Sequence, residues 1–144
     1  MTKERKSWDA YYMELAHTVK SRATCPRKDV GAVVVSSKNR VSGTGFNGAP
    51  SGMPHCSDVG CMMDEANHCQ RVIHAEVNAL MEALQRGEVH GSTLYTTVFP
   101  CIRCLNVAIQ AGVRRIVYEE IYRNEEQVEL ARKAGMELEA LGGG

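Results

Sequence analysis

Between Asn47 and Val72 the chain keeps neither a helical nor a strand period, although regular patterns run up to it and resume after it. Structureless loops longer than about 12–15 residues are uncommon in a compact domain unless they are functional or tied down. This segment carries Cys56, Cys61, His68 and Cys69. It therefore predicts a loop that cannot bury a core of its own and is held by metal instead.

The patterns on either side set the fold. Ser7 to Arg22 reads as an amphipathic helix, with Trp8, Tyr12, Leu15, Ala16 and Val19 near one face at three- and four-residue steps. Val30 to Ser36 is a β-branched run; after a polar turn from Ser37 to Arg40, Val41 to Phe46 completes a β-hairpin. Beyond the loop, Ile73 to Arg86 repeats apolar residues at helical spacing, and Gly87 closes the helix. Thr93 to Val98 is a strand. Pro100 opens a helix that Gly112 ends, and Arg114 to Tyr118 is another strand. Asn124 with Gln127 caps a helix to Ala134, and Met136 to Leu141 is a last strand. The order α-β-β-α-β-α-β-α-β predicts an α/β fold, a five-stranded mixed sheet with helices on both faces. A length of 144 residues suits a single domain over residues 1–141, with the cysteine-rich insertion at about 47–72 and a mobile tail at 142–144.

Charge and hydropathy remove whole classes of function. Seventeen Lys and Arg balance seventeen Asp and Glu, so the basic excess usual in a nucleic-acid-binding domain is missing and no nucleic-acid partner is expected. No apolar run approaches the roughly 20 residues that span a bilayer, and no membrane is expected. The N-terminus mixes both charges and leads into no short apolar segment of the secretory kind, which predicts a cytoplasmic protein. In that reducing compartment, six cysteines are more often metal ligands or catalytic groups than staples.

The chemistry concentrates in His74-Ala75-Glu76 and Pro100-Cys101-Ile102-Arg103-Cys104. Catalytic zinc takes three imidazole or thiolate ligands and keeps the fourth position for water, a count that His74, Cys101 and Cys104 supply. Cys101 and Cys104 stand three apart at a helix start, so both thiols share one face, and the positive helix end favours thiolate. Residues two apart in a regular helix point to roughly opposite sides. Glu76 can therefore stay near a metal on His74 only if the pair sits at the irregular helix entry, where the periodicity places it. Zinc lowers the pKa of its water from about 15.7 to about 7. A carboxylate beside it can take a proton and return it elsewhere, which is general acid/base work assigned to Glu76.

H-x-E followed by P-C-x-x-C is the signature of the zinc nucleoside and nucleobase deaminases. Five stretches resemble deoxycytidylate deaminases more narrowly: Thr24 to Val35, Gly45 to Gly52, Arg71 to Leu80, Leu94 to Cys101 and Gln110 to Tyr118. The bacterial and phage branch looks most similar, since it too carries a cysteine-rich insertion before H-x-E. The resemblance implies the cytidine deaminase-like fold and hydrolysis of dCMP to dUMP and ammonia, on the route to thymidylate. It implies catalytic zinc, a homo-hexamer or other homo-oligomer, activation by dCTP with magnesium and inhibition by dTTP. It also implies that Asn47 bonds the sugar 3′-hydroxyl, that the Ala75 backbone meets the pyrimidine edge, and that Gly45, Phe46, Asn47 and Gly48 line a regulatory nucleotide site. For the substrate phosphate, whose geometry suits the planar fork of arginine, Arg27 and Arg22 flank Cys25 on the expected rim, with Tyr122 following the later strand.

Cys25, Cys56, Cys61 and Cys69 remain, and four thiols make a closed structural zinc set. They predict a second zinc pinning the loop to the body, with His68 able to replace one thiol. Three other readings compete. A deaminase acting on tRNA adenosine, a free base or 5-substituted dCMP would use the same zinc site. A binding module that had lost catalysis is disfavoured by Glu76, and a thiol oxidoreductase would leave His74 and Glu76 without a role.

Overall fold

The computed structural model describes residues 3–25, 29–121 and 126–142. Its elements run α1 (Trp8–Lys20), β1 (Gly31–Val35), β2 (Val41–Phe46), α2 (Cys56–Val59), α3 (Ala75–Gln85), β3 (Thr93–Val98), α4 (Ile102–Ala111), β4 (Arg115–Glu120), α5 (Glu126–Lys133) and β5 (Glu137–Ala140). The five strands form one mixed sheet in the order β2-β1-β3-β4-β5. β1 pairs antiparallel with β2 and with β3, while β3–β4 and β4–β5 are parallel. The α/β reading therefore holds, with one addition: the insertion contains the four-residue helix α2. Asn124, expected to cap α5, lies outside the described residues.

Strand alternation builds two cores. Val33 and Val35 of β1, Tyr95 of β3 and Val117 of β4 turn to α1, where Tyr12, Met13 and Ala16 meet them. Ala32, Val34, Leu94 and Ile116 point the other way, against Ala79, Leu80 and Ala83 of α3, Leu105 and Ala108 of α4 and Val128 of α5. With both faces covered, all five β1 residues are buried.

Trp8, expected on the buried face of α1, is 55% exposed. It sits in the first turn and stacks on Tyr12, whose ring fills the place above the sheet, with centroids 5.6 Å apart. α1 starts where the Ser7 hydroxyl accepts the Ala10 N–H at 3.1 Å and ends at Lys20, short of Arg22. α4 closes where Gly112 takes φ 92°, a left-handed conformation that side chains disfavour.

Candidate active site

Two helix beginnings meet to make the site. On α3, His74 is the N-cap, with extended backbone at φ −65° and ψ 150°, and Glu76 lies in the first turn. Four contacts join that entry to the end of β2. Gly48 and Ile73 exchange backbone hydrogen bonds of 3.2 and 2.9 Å. Asn47 Oδ1 accepts the Ala75 N–H at 2.9 Å, and Asn78 Nδ2 donates to the Phe46 carbonyl at 3.0 Å. The body of α3 is set by close approach to β2: a Cβ at Gly45 would overlap the Ala75 carbonyl oxygen, and one at Gly43 that of Ala79. Only glycine lets a strand backbone come this near a helix backbone.

On α4, β3 runs out through Phe99 and Pro100 to Cys101, which is the N-cap, and Cys104 follows in the first turn. Phe99 is fixed by donating its N–H to the Glu120 carbonyl at 2.7 Å and by edge-to-face contact with Tyr118. No acidic residue occupies the first turn of α4, so no side chain of that turn offsets its positive end near the thiols.

His74 Nδ1 comes to 3.3 Å from Cys104 Sγ and 3.5 Å from Cys101 Sγ. The three donor atoms all lie within 4.8 Å of one another. The Cys104 thiol donates to Cys101, whose pKa falls to about 3, with the His74 ring assisting; Cys104 is raised by that same bond and then by burial. Two thiols sharing one proton beside an imidazole, with no other cation in the donor set, fit a divalent zinc, which takes thiolate sulfur and imidazole nitrogen. Glu76 is 5% exposed and burial pushes its carboxyl pKa up, opposed by the neighbouring His74.

All six cysteines are free. Cys25, Cys56 and Cys61 form a second donor group within 4.8 Å, and Cys69 Sγ stands 3.6 Å from Cys56 Sγ. A tight turn brings Cys69 there: Asp64 Oδ1 accepts the N–H groups of Ala66 and His68 at 3.0 and 2.8 Å, and Met63 bridges Cys69. His68 stays exposed in that turn, so the position near Cys56 goes to Cys69. Burial first, then hydrogen bonds to Cys69 and Cys61, push Cys56 up to about 12. Cys69 drops to about 7 in spite of burial, because backbone N–H groups of Met62 and Arg71 and the neighbouring thiols donate to it.

The expected substrate contacts divide. Asn47 is 2% exposed and joined to the motif, while Gly45 packs under α3. Of the Ala75 backbone, expected at a pyrimidine edge, the N–H donates to Asn47 Oδ1. Arg22 is exposed in the turn after α1. Arg27 and Tyr122 lie outside the described residues. Reading the sequence missed the approach role of Gly43 and Gly45, whose signal is the Gly-Thr-Gly spacing within β2. It also missed the contact of Thr24 Oγ1 with His55 Nδ1 at 2.9 Å, between residues that stand next to Cys25 and Cys56.

A thiol–imidazole donor set with a buried carboxyl beside it, at paired helix starts on a mixed sheet, has the composition of a zinc hydrolase site. The family model described as the cytidine and deoxycytidylate deaminase zinc-binding region matches residues 6–120, and the chain belongs to this family. ComE operon protein 2 of Bacillus subtilis is 41% identical over 138 residues, covering 94% of this chain and 72% of the relative. The deoxycytidylate deaminase of Mycobacterium phage D29 is 40% identical over 124 residues, covering 79% of this chain and 95% of that protein. The Saccharomyces cerevisiae deoxycytidylate deaminase is 38% identical, but the match spans only 44% of its length. Among solved structures, the cyanophage S-TIM5 dCMP deaminase in complex with dCMP and dUMP superposes with a TM-score of 0.81 at 30% identity, over 96% of this chain and all of that one (100%).

Proposed function

We propose that this protein deaminates dCMP hydrolytically, converting dCMP and water to dUMP and ammonia on the route to thymidylate. The observation that carries the reading is the buried Glu76 carboxyl on the same first turn as His74, facing the Cys101–Cys104 pair. The names of the phage and yeast relatives and the phage complex support dCMP as substrate.

His74, Cys101 and Cys104 would hold the catalytic zinc, which supplies a water acidic enough to lose a proton near neutral pH. Glu76 moves the protons: its carboxylate takes one from the attacking water and delivers it to ring N3 as the water oxygen bonds to C4. It then takes the second from the new C4 hydroxyl and gives it to the amine, which leaves as ammonia when the C4–N bond breaks. Burial serves this role, because a carboxyl whose pKa is raised toward the working pH can both accept and donate. Asn47 holds the Ala75 N–H and so fixes the turn that bears both groups.

Cys25, Cys56, Cys61 and Cys69 would hold a second, structural zinc; their mutual approach and the scarcity of other structure in the insertion support this. The protein would work in the cytoplasm; among the described residues no helix is long and apolar enough to cross a membrane. A homo-oligomer would cover the exposed Met81 and Leu84 of α3 and Ile102 and Val107 of α4. Regulation by dCTP with magnesium and by dTTP would act at the Gly45–Gly48 end of β2, and Arg22, Arg27 and Tyr122 would meet the substrate phosphate.

The test is ammonia release by zinc-replete protein from dCMP, deoxycytidine, CMP and cytosine in parallel, with and without dCTP–magnesium. Turnover confined to dCMP is expected. Silence on all four would overturn the substrate and turn the search to tRNA adenosine.

A further inference from the structure

Thr24 and His55 each precede a cysteine of the four-thiol cluster, and their side chains meet: Thr24 Oγ1 and His55 Nδ1 are 2.9 Å apart. The Thr24 backbone N–H donates to the Asn47 carbonyl at 3.1 Å. Asn47 in turn holds the Ala75 N–H, and Ala75 lies between His74 and Glu76. One continuous set of hydrogen bonds thus joins the loop cluster to the entry turn of α3. The glycine contacts of β2 set the first two turns of α3 from the strand side, at Ala75 and Ala79. Asn47 and Gly48 act at its first residues, where the donor imidazole and the carboxyl stand.

We propose that Thr24 and His55 are positioning residues: their side chains form a clasp that sets Asn47, and through it the orientation of His74 and Glu76. The clasp fixes residue 24 against residue 55, so the Thr24 N–H meets the Asn47 carbonyl at a set distance. Asn47 is then oriented by its backbone from one side and by Ala75 from the other. Opening the clasp leaves Asn47 its bond to Ala75 and loosens the one that the Thr24 N–H makes to its carbonyl. The entry turn then samples wider geometries while the body of α3 stays packed. The kinetic consequence rests on the deaminase reading given above; the structural consequence does not.

The test uses the zinc-replete full chain with Thr24→Val, which keeps the shape and removes the hydroxyl, Thr24→Ser, which restores it, and His55→Leu. Amide exchange at Ala75, metal content and steady-state kinetics on dCMP are measured together. Loss of one net hydrogen bond corresponds to a change of about 3- to 10-fold. Thr24→Val and His55→Leu are therefore expected to speed Ala75 exchange by that factor and to lower kcat similarly. KM is expected to move less, metal content to stay unchanged, and Thr24→Ser to match the parent. A clasp that only anchored the loop would lower the melting temperature and leave kcat and Ala75 exchange alone; that result overturns the proposal. If one of the two disruptive variants does not fold, the other decides by the same readings. A parent protein idle on dCMP, with Ala75 exchange still responding to Thr24→Val, supports the clasp and removes the dCMP reading instead.

Discussion

His74, Cys101 and Cys104 stand on the capping residues and first turn of two helices whose bodies pack on the sheet. Cys25, Cys56, Cys61 and Cys69 stand on connections, with only the four-residue α2 and isolated bridges for support. In the first cluster packing brings the donors together and a metal would add chemistry. In the second the donors themselves are the main cross-links, and a metal would add stability. The electrostatics agree. One proton is shared across the Cys101–Cys104 pair beside a buried carboxyl, whereas three loop thiols perturb one another.

The largest effect that could break this division comes from Glu76→Gln. General acid/base catalysis contributes roughly 10²–10⁴ in rate, so turnover on dCMP should fall at least that far while metal content stays at the parent value. Near-normal ammonia release would remove Glu76 from the chemistry. Cys56→Ser probes the other cluster and should act on stability first. Zinc should fall from two ions per chain to one, with the residue 47–72 segment becoming sensitive to protease. Loss of about 3 kcal/mol would lower the melting temperature by about 10 °C in a chain of this size. Two zinc ions retained in Cys56→Ser, or one in the fully loaded parent, would end the structural-metal reading.

Much of the first cluster was legible because its constraints are local. A histidine and a glutamate two apart can share a site only at a helix entry, and His74 is the N-cap with extended backbone. Cys101 and Cys104 follow from Pro100 and a short helical run. The second cluster was legible as three thiols in a segment with little else to fold around and a fourth, Cys25, before β1, but its connections were not. Thr24 and His55 lie 31 positions apart, and no periodicity links them. Trp8 shows the opposite failure: its helical phase suits the core, yet Tyr12 already occupies the sheet surface beneath it. A period gives the direction of a side chain, and only the partner element decides whether room is left there.

Gly45→Ala asks whether packing does hold the catalytic donors. Its Cβ would overlap the Ala75 carbonyl oxygen and crowd the Ala79 N–H, both main-chain atoms that cannot rotate away. Overpacking of this kind costs about 1–3 kcal/mol, or roughly 3–10 °C of melting temperature here. Because the displaced atoms belong to the turn after His74, kcat on dCMP should fall as well, with the loop cluster keeping its metal. A variant that melts and turns over like the parent would mean that α3 is not set by this approach.

Asp9→Asn is the smallest change and sharpens the comparison by touching neither cluster. Arg115 grips Asp9 with two nitrogens at 2.9 and 2.8 Å, and the Tyr95 hydroxyl donates to it at 2.7 Å, joining the start of α1 to β3 and β4. The Arg115 bond leads in holding the Asp9 pKa below its ordinary 3.8, against the opposing effect of burial. The folded carboxyl therefore binds its proton less readily than the unfolded one. Its stabilisation is complete above about pH 4 and is lost as pH falls through the lower folded value. With the pair about a quarter exposed, the variant should lose about 1 kcal/mol in urea unfolding, equally at pH 7 and pH 5. Below pH 4 the gap between variant and parent should narrow. Metal content and kcat at pH 7 should match the parent, because the contact ties α1 to the ends of β3 and β4 opposite those that lead toward the catalytic helix. A kcat deficit in Asp9→Asn as large as that of Gly45→Ala would mean that general loss of stability, and not the geometry of the α3 entry, governs turnover.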